Sequence, residues 1–222
     1  MKRFVFIMLA MALAGCSSSG TDVQPNKPPE ISFSFPKLAV PKGIDVDLFV
    51  TVSDEDNDPL TGQWETTAGS LDPADQGKTI MTWTPPTTIG TYTITATVSD
   101  GKDSKSASLS LKTGTLWSTN ITGNNASWSN ALSPYILAPD AGSVNFRISR
   151  KLSIGPEVTV YVDTEDLEIN VVGTLEILGT ESQPVIITPN DRSPAVGYWT
   201  GILADIEGVQ VGQVNLSYAR IS

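Results

Sequence analysis

The sequence predicts an all-β chain in two successive parts: an antiparallel β-sandwich, then a solenoid of short strands. Three observations carry that reading. Apolar residues alternate with period two, as half-buried strands require, and no helix-period pattern appears after the N-terminal segment. Gly, Pro, Asn and Asp bound each apolar run. In the second half no Asn-Gly type hairpin signal stands between neighbouring runs, so each strand must pair further along the chain. With 40% apolar residues in 222, the chain has enough material to bury a core.

The first element is an address. Lys2 and Arg3 precede an apolar run from Phe4 to Leu13. A helix needs about 20 apolar residues to span a bilayer, so this run reads as a secretory leader. It ends in Leu13-Ala14-Gly15-Cys16, which resembles the lipobox of bacterial lipoproteins. The resemblance implies removal of residues 1–15, a diacylglycerol on the Cys16 sulfur and an acylated new amine, so that the partner of the mature N-terminus is a membrane. Ser17, where an Asp would resemble an inner-membrane retention signal, implies the outer membrane, on its periplasmic or outward face. The other reading is an ordinary leader that contains Cys16 by chance. Residues 16–29 are rich in Ser, Gly, Pro and Asn and read as a tether.

The sandwich is predicted over residues 30–113. Ile31, Phe33 and Phe35 alternate with polar residues. So do Ile44, Val46, Leu48, Val50 and Val52, then Tyr92, Ile94, Ala96 and Val98, then Ala107, Leu109 and Leu111. Trp64 is expected on a central strand as the core anchor, with Trp83 as a second. The order Pro28-Pro29, Val52 to Leu60, Trp64, Trp83-Thr84-Pro85 and Gly90 to Gly101 resembles bacterial Ig-like domains of the PKD-type and cadherin-like kinds. The chain departs from PKD modules after Trp64, where Glu65-Thr66-Thr67-Ala68-Gly69 stands in place of a Trp-Asp-Phe-Gly-Asp-Gly stretch.

Residues 114–222 carry short apolar runs such as Leu152–Val162, Leu167–Val172, Leu175–Leu178, Val185–Ile187 and Val214–Ile221. Ile121-Thr122-Gly123-Asn124, Trp128, Ser133 to Leu137, Leu152 to Val160, Gly173-Thr174-Leu175, Gln183 to Thr188 and Trp199 to Ile202 together resemble the opening coils of a right-handed parallel β-helix. Val214 to Ser222 reads as strand with no capping element. The expectation is an incomplete solenoid, or one whose end a partner covers.

Composition excludes several functions. The chain has no histidine and one cysteine, so Ser-His-Asp catalysis, His-ligated zinc and internal disulfides are out of reach. Its net charge of -10 argues against a nucleic-acid partner. Loss of the leader makes that -12, because residues 1–15 hold two of the 14 basic residues and no acidic one.

Asp54-Glu55-Asp56-Asn57-Asp58 is the sharpest local feature. It is not an EF-hand loop, because Pro59 stands where a glycine is needed. In PKD-type and cadherin-like modules an Asp-rich turn, an Asp at a strand end and an Asn near the domain start gather around calcium. The resemblance carries that role to Asn26, Asp54, Asp56 and Asp100. The alternative is a solvated acidic turn. Asp163, Glu165, Asp166 and Glu168 form a second acidic cluster, read as a turn between strands. Trp117, Trp128, Tyr135, Tyr198 and Trp199 are candidate sugar platforms, or core.

The functional expectation is a lipid-anchored binding or adhesion protein for a glycan or protein, with no catalytic residue in this chain. Two alternatives stay open: the N-terminal part of a polysaccharide lyase or hydrolase, and a structural envelope lipoprotein.

Overall fold

The structure, a computed structural model, describes residues 25–140, 143–207 and 210–222. Cys16, the leader and most of the tether lie outside the described residues. The regular secondary structure of the described residues is almost entirely strand, with short 3-10 turns at Pro73–Asp75 and Asn130–Leu132. Among the described residues no helix is long and apolar enough to cross a membrane.

The N-terminal unit contains β1 (Glu30–Phe33), β2 (Ala39–Pro41), β3 (Val46–Ser53), β4 (Thr61–Thr66), β5 (Ser70–Leu71), β6 (Ile80–Thr84), β7 (Gly90–Ser99) and β8 (Ser104–Trp117). One sheet runs β1-β3-β6-β5, and β8-β7-β4 form part of a second. These pairings are antiparallel, as the alternation predicts. The inward residues Leu48, Val50, Met81, Trp83, Ile94, Ala96, Leu109 and Leu111 close one core between the sheets. Burying each large apolar side chain stabilises the fold by about 1.5–3 kcal/mol.

Trp64 is buried in this core, but on an edge strand and not a central one. β4 pairs only with β7. Its open backbone is met by a side chain instead of a strand: Trp64 N donates to Gln76 Oε1 at 3.0 Å, and Gln76 Nε2 donates to Trp64 O at 3.3 Å. The indole Nε1 donates to Lys78 O. An edge so covered is shielded from pairing with another chain.

The C-terminal unit contains β9 (Ala126–Trp128), β10 (Tyr135–Leu137), β11 (Asn145–Ile148), β12 (Lys151–Ile154), β13 (Thr159–Val162), β14 (Glu168–Val171), β15 (Thr174–Leu178), β16 (Val185–Pro189), β17 (Gly201–Ala204), β18 (Ile206–Glu207), β19 (Gln210–Val211), β20 (Gln213–Ser217) and β21 (Ala219–Ile221). Apart from the β18–β19 hairpin, every pairing here is parallel. Three ladders result: β10-β13-β16-β21, β11-β14-β17 and β9-β12-β15-β20. Like stacks on like: Leu175 lies between Leu152 and Val214, and Ile169 between Phe146 and Ile202. The inward faces of the three ladders share one apolar core.

The two units are not joined by a loop. β8 runs unbroken through residues 113 and 114. Its earlier part pairs with β7 and β2, and Thr115–Trp117 pair with β10. The first ladder of the C-terminal unit is therefore continuous with a sheet of the N-terminal unit. Gly114 permits this crossing, because a Cβ there would stand 2.6 Å from Pro134 O.

Candidate functional site

The acidic turn follows β3 and is built by its own first residue. Asp54 Oδ1 accepts from Asp56 N at 3.0 Å and Asp58 N at 2.9 Å, which folds the turn back on itself. Asn57 takes a left-handed φ of 60°, a conformation that Asn tolerates better than most residues. The result gathers Asp54, Asp56 and Asp58, with one carboxylate oxygen from each within 4.8 Å of the others.

The turn after β7 stands beside it. Asp100 is buried and accepts from Lys102 N and Asp103 N, each at 2.7 Å, and from Asn26 Nδ2 at 2.9 Å. Those bonds, led by the Asp103 N–H and then the Asn26 amide, hold its carboxyl down at about 2. Asn26 Nδ2 also reaches Asp103 Oδ2 at 2.7 Å. Lys102 Nζ bridges the two turns, donating to Asp58 Oδ2 at 2.7 Å and to Asn26 Oδ1 at 3.1 Å. The hydrogen bond to Asp58 raises its pKa above the ordinary lysine value. Lys27 pairs with Glu55 and donates its backbone N–H to Asp56 Oδ2.

Asn26 and Asp100 thus touch directly, and Asp54 and Asp56 belong to a triad with Asp58. Asp100 is outside that triad and reaches it through Asn26 and Lys102. Sequence reasoning placed Asp58 in the acidic turn but outside the calcium set, and missed Asp103 and Lys102. The available signal was Asp100-Gly101-Lys102-Asp103, a tight turn that returns its charged ends to one place. The cluster is an all-oxygen, acid-rich set, the chemistry that suits a hard cation. One of its atoms, Asp54 Oδ2, is buried without a hydrogen-bond partner.

The second acidic cluster does not act as a unit. Asp163 pairs with Lys37 at 2.7 Å and accepts from Asn190 Nδ2 at 2.6 Å. Glu168, on β14, accepts from Asn145 and Asn170 instead. The candidate sugar platforms are mostly core. Trp128 stacks on Tyr135 at 4.7 Å, and both are buried, as is Trp199. Trp117 and Tyr198 pack against the same core. Burial, then the charges of Asp163, Asp191 and Glu165, push the Tyr198 phenol up.

Asn190 is the residue that fastens the two units, and no motif announces it. Its buried amide accepts from Leu38 N at 3.1 Å and Ala39 N at 2.9 Å, and donates to Ala39 O at 2.9 Å. Arg192 adds its N–H to Pro36 O and its guanidinium to Ser110 O. The chain matches no family model and no curated protein.

Proposed function

We propose that the chain is a lipid-anchored extracytoplasmic binding or adhesion protein of the bacterial outer membrane. In this reading an Ig-like sandwich over residues 30–113 is the mount. A right-handed parallel β-helix over residues 114–222 is what it presents, to a glycan or a protein. The observation that carries the reading is the junction: a strand shared by both units, locked by Asn190. A shared strand suits a mount that holds a binding surface at a fixed attitude. The ladder next to the N-terminal unit is partly covered by Leu38 and Ala39. The outward residues of the other two ladders are mostly polar, among them Asn145, Arg147 and Glu168 on one and Lys151, Ser153, Thr174 and Glu176 on the other. Those two faces are where a ligand is expected.

A screen of the full chain against polysaccharides and envelope proteins, run beside a polysaccharide-degradation assay, tests the proposal. Binding without chain shortening is expected. Degradation would overturn it in favour of a lyase or hydrolase, and absence of any binding would favour a purely structural envelope protein. Palmitate labelling tests the anchor. Label should be incorporated by the wild type and lost in Cys16→Ala; equal labelling of both would refute lipidation.

Calcium is proposed for the acidic turns. Asp54, Asp56 and Asp58 would hold it, with Asp100 and Asn26 as the flanking support. A bound divalent ion supplies the charge that offsets repulsion among these carboxylates. The buried, unpartnered Asp54 Oδ2 fits such a ligand set. Lys102 now supplies positive charge at Asp58, so binding requires it to yield. Calorimetry should register calcium uptake by the wild type and none by the Asp54→Asn, Asp56→Asn double variant. A silent wild-type titration would leave the turns as solvated acidic loops.

A further inference from the structure

We propose that the cleft at the junction of the two units binds a small zwitterion of amino-acid or dipeptide size. This inference goes beyond glycan or protein binding and does not depend on it. The cleft has a volume of about 340 Å³. That is within the ~300–1,000 Å³ of small-ligand sites, which favour boundaries between units. One wall is the start of β7, Gly90 and Thr91, with Lys112 of β8. The facing wall is Asn130, Ser133, Glu157 and Thr159 of the C-terminal unit.

Two opposite charges line this cleft and do not pair with each other. Lys112 Nζ rests 5.9 Å from the centre of the Tyr161 ring and 3.4 Å from its hydroxyl. Among the described residues no carboxylate is within ion-pair distance of it. Glu157 is held from behind. Its Oε2 accepts from Asn130 Nδ2 at 2.9 Å and from Gln183 Nε2 at 3.3 Å, and its N–H donates to Gln183 O. Oε1 has no protein partner among the described residues. Glu157 also adopts a φ of 61°, a left-handed conformation that Gly or Asn adopts more readily. A non-glycine residue kept there is an outlier of the kind that clusters at ligand clamps.

The complement of an ammonium on one wall and an oriented carboxylate on the other is a ligand with a carboxylate and an ammonium of its own. The ligand carboxylate meets the Lys112 ammonium, in a charge-assisted hydrogen bond. Its ammonium meets Glu157 Oε1. The Ser133 and Thr159 hydroxyls and the Asn130 amide stand beside the part between, where a peptide link has its own donor and acceptor.

The test is a calorimetric titration of the full chain with glycylglycine, N-acetylglycylglycine and glycylglycinamide. The second lacks the ammonium and the third lacks the carboxylate. Glycylglycine should bind, and each blocked form should bind roughly tenfold more weakly or worse. Lys112→Ala should abolish the preference for a free carboxylate, and Glu157→Gln the preference for a free ammonium. Both side chains are exposed, so both variants should melt with the wild type. Failure of glycylglycine to bind, equal binding of the blocked forms, or survival of either preference in its variant would overturn the proposal.

Discussion

Asn26 stands where the chain enters the N-terminal unit, and it helps hold the Asp100 carboxyl at about 2. A carboxyl depressed in the folded state stabilises the protein above its unfolded value, near 3.9, and that contribution is lost as pH falls through about 2. The N-terminal unit should therefore lose stability between about pH 4 and pH 2. In Asn26→Ala the folded value should move up toward the model-compound range, and the acid-linked loss should shrink. A carbon-detected NMR titration of Asp100 reads this directly; an unmoved value would mean that the backbone donors alone hold it. Asn190 carries more weight. Its removal strands two backbone N–H groups and a carbonyl in a buried junction, each unmet group costing about 1–3 kcal/mol. Asn190→Ala should destabilise by about 3 kcal/mol in urea unfolding, partly relieved by water entry. A change under about 0.5 kcal/mol, the size of an ordinary surface substitution, would refute its role as the fastener. Neither residue was equally legible in the sequence. Asn26 follows from the resemblance to calcium-binding modules. Asn190 lies in Pro189-Asn190-Asp191, which reads as any turn, because the backbone it clasps, at Leu38 and Ala39, is more than a hundred residues away along the chain.

Strands were legible as elements wherever one face is buried and the other solvated, as Val46 to Val52 and Tyr92 to Val98 show. Which strand becomes an edge was not. Trp64 is large and buried, which marks a core residue, but burial of a side chain does not say how many strands flank its backbone. The cover that makes an edge tolerable here is Gln76, twelve residues on, and an exposed Gln carries no periodic signal. Gln76→Ala should cost about 1 kcal/mol and speed hydrogen exchange at the Trp64 amide. Unchanged exchange there would show that the amide is protected by something else. The parallel stack makes a different demand. Gly173 sits where a Cβ would lie 2.2 Å from Arg150 O, on the backbone of the tier before it. Its φ is unexceptional, so the need for glycine comes from close approach and not from a turn. Gly173→Ala should force the tiers apart and destabilise by about 1–3 kcal/mol in urea unfolding. Stability within about 0.3 kcal/mol of wild type would mean that the stack yields there.

At the scale of the molecule, the sequence divides at about residue 113, where one alternating pattern gives way to another. The structure puts a single strand across that position. A strand of 14 residues from Ser104 to Trp117 can serve two units because its partners change along its length: β7 and β2 first, then β10. Composition does not reveal this, since Lys112-Thr113-Gly114-Thr115 reads as readily as a turn between domains. The consequence is mechanical. Units joined by a linker tumble separately, whereas units sharing a sheet, a buried Asn190 clasp and the Lys37–Asp163 pair move as one. The proposed function depends on this, because a mount that bends presents no fixed surface. Residual dipolar couplings measured on the full chain in one aligned medium test it most directly. A single alignment tensor should fit the amides of residues 30–113 and 114–222 together. Two tensors of different magnitude or orientation would contradict the account and show the two units moving independently.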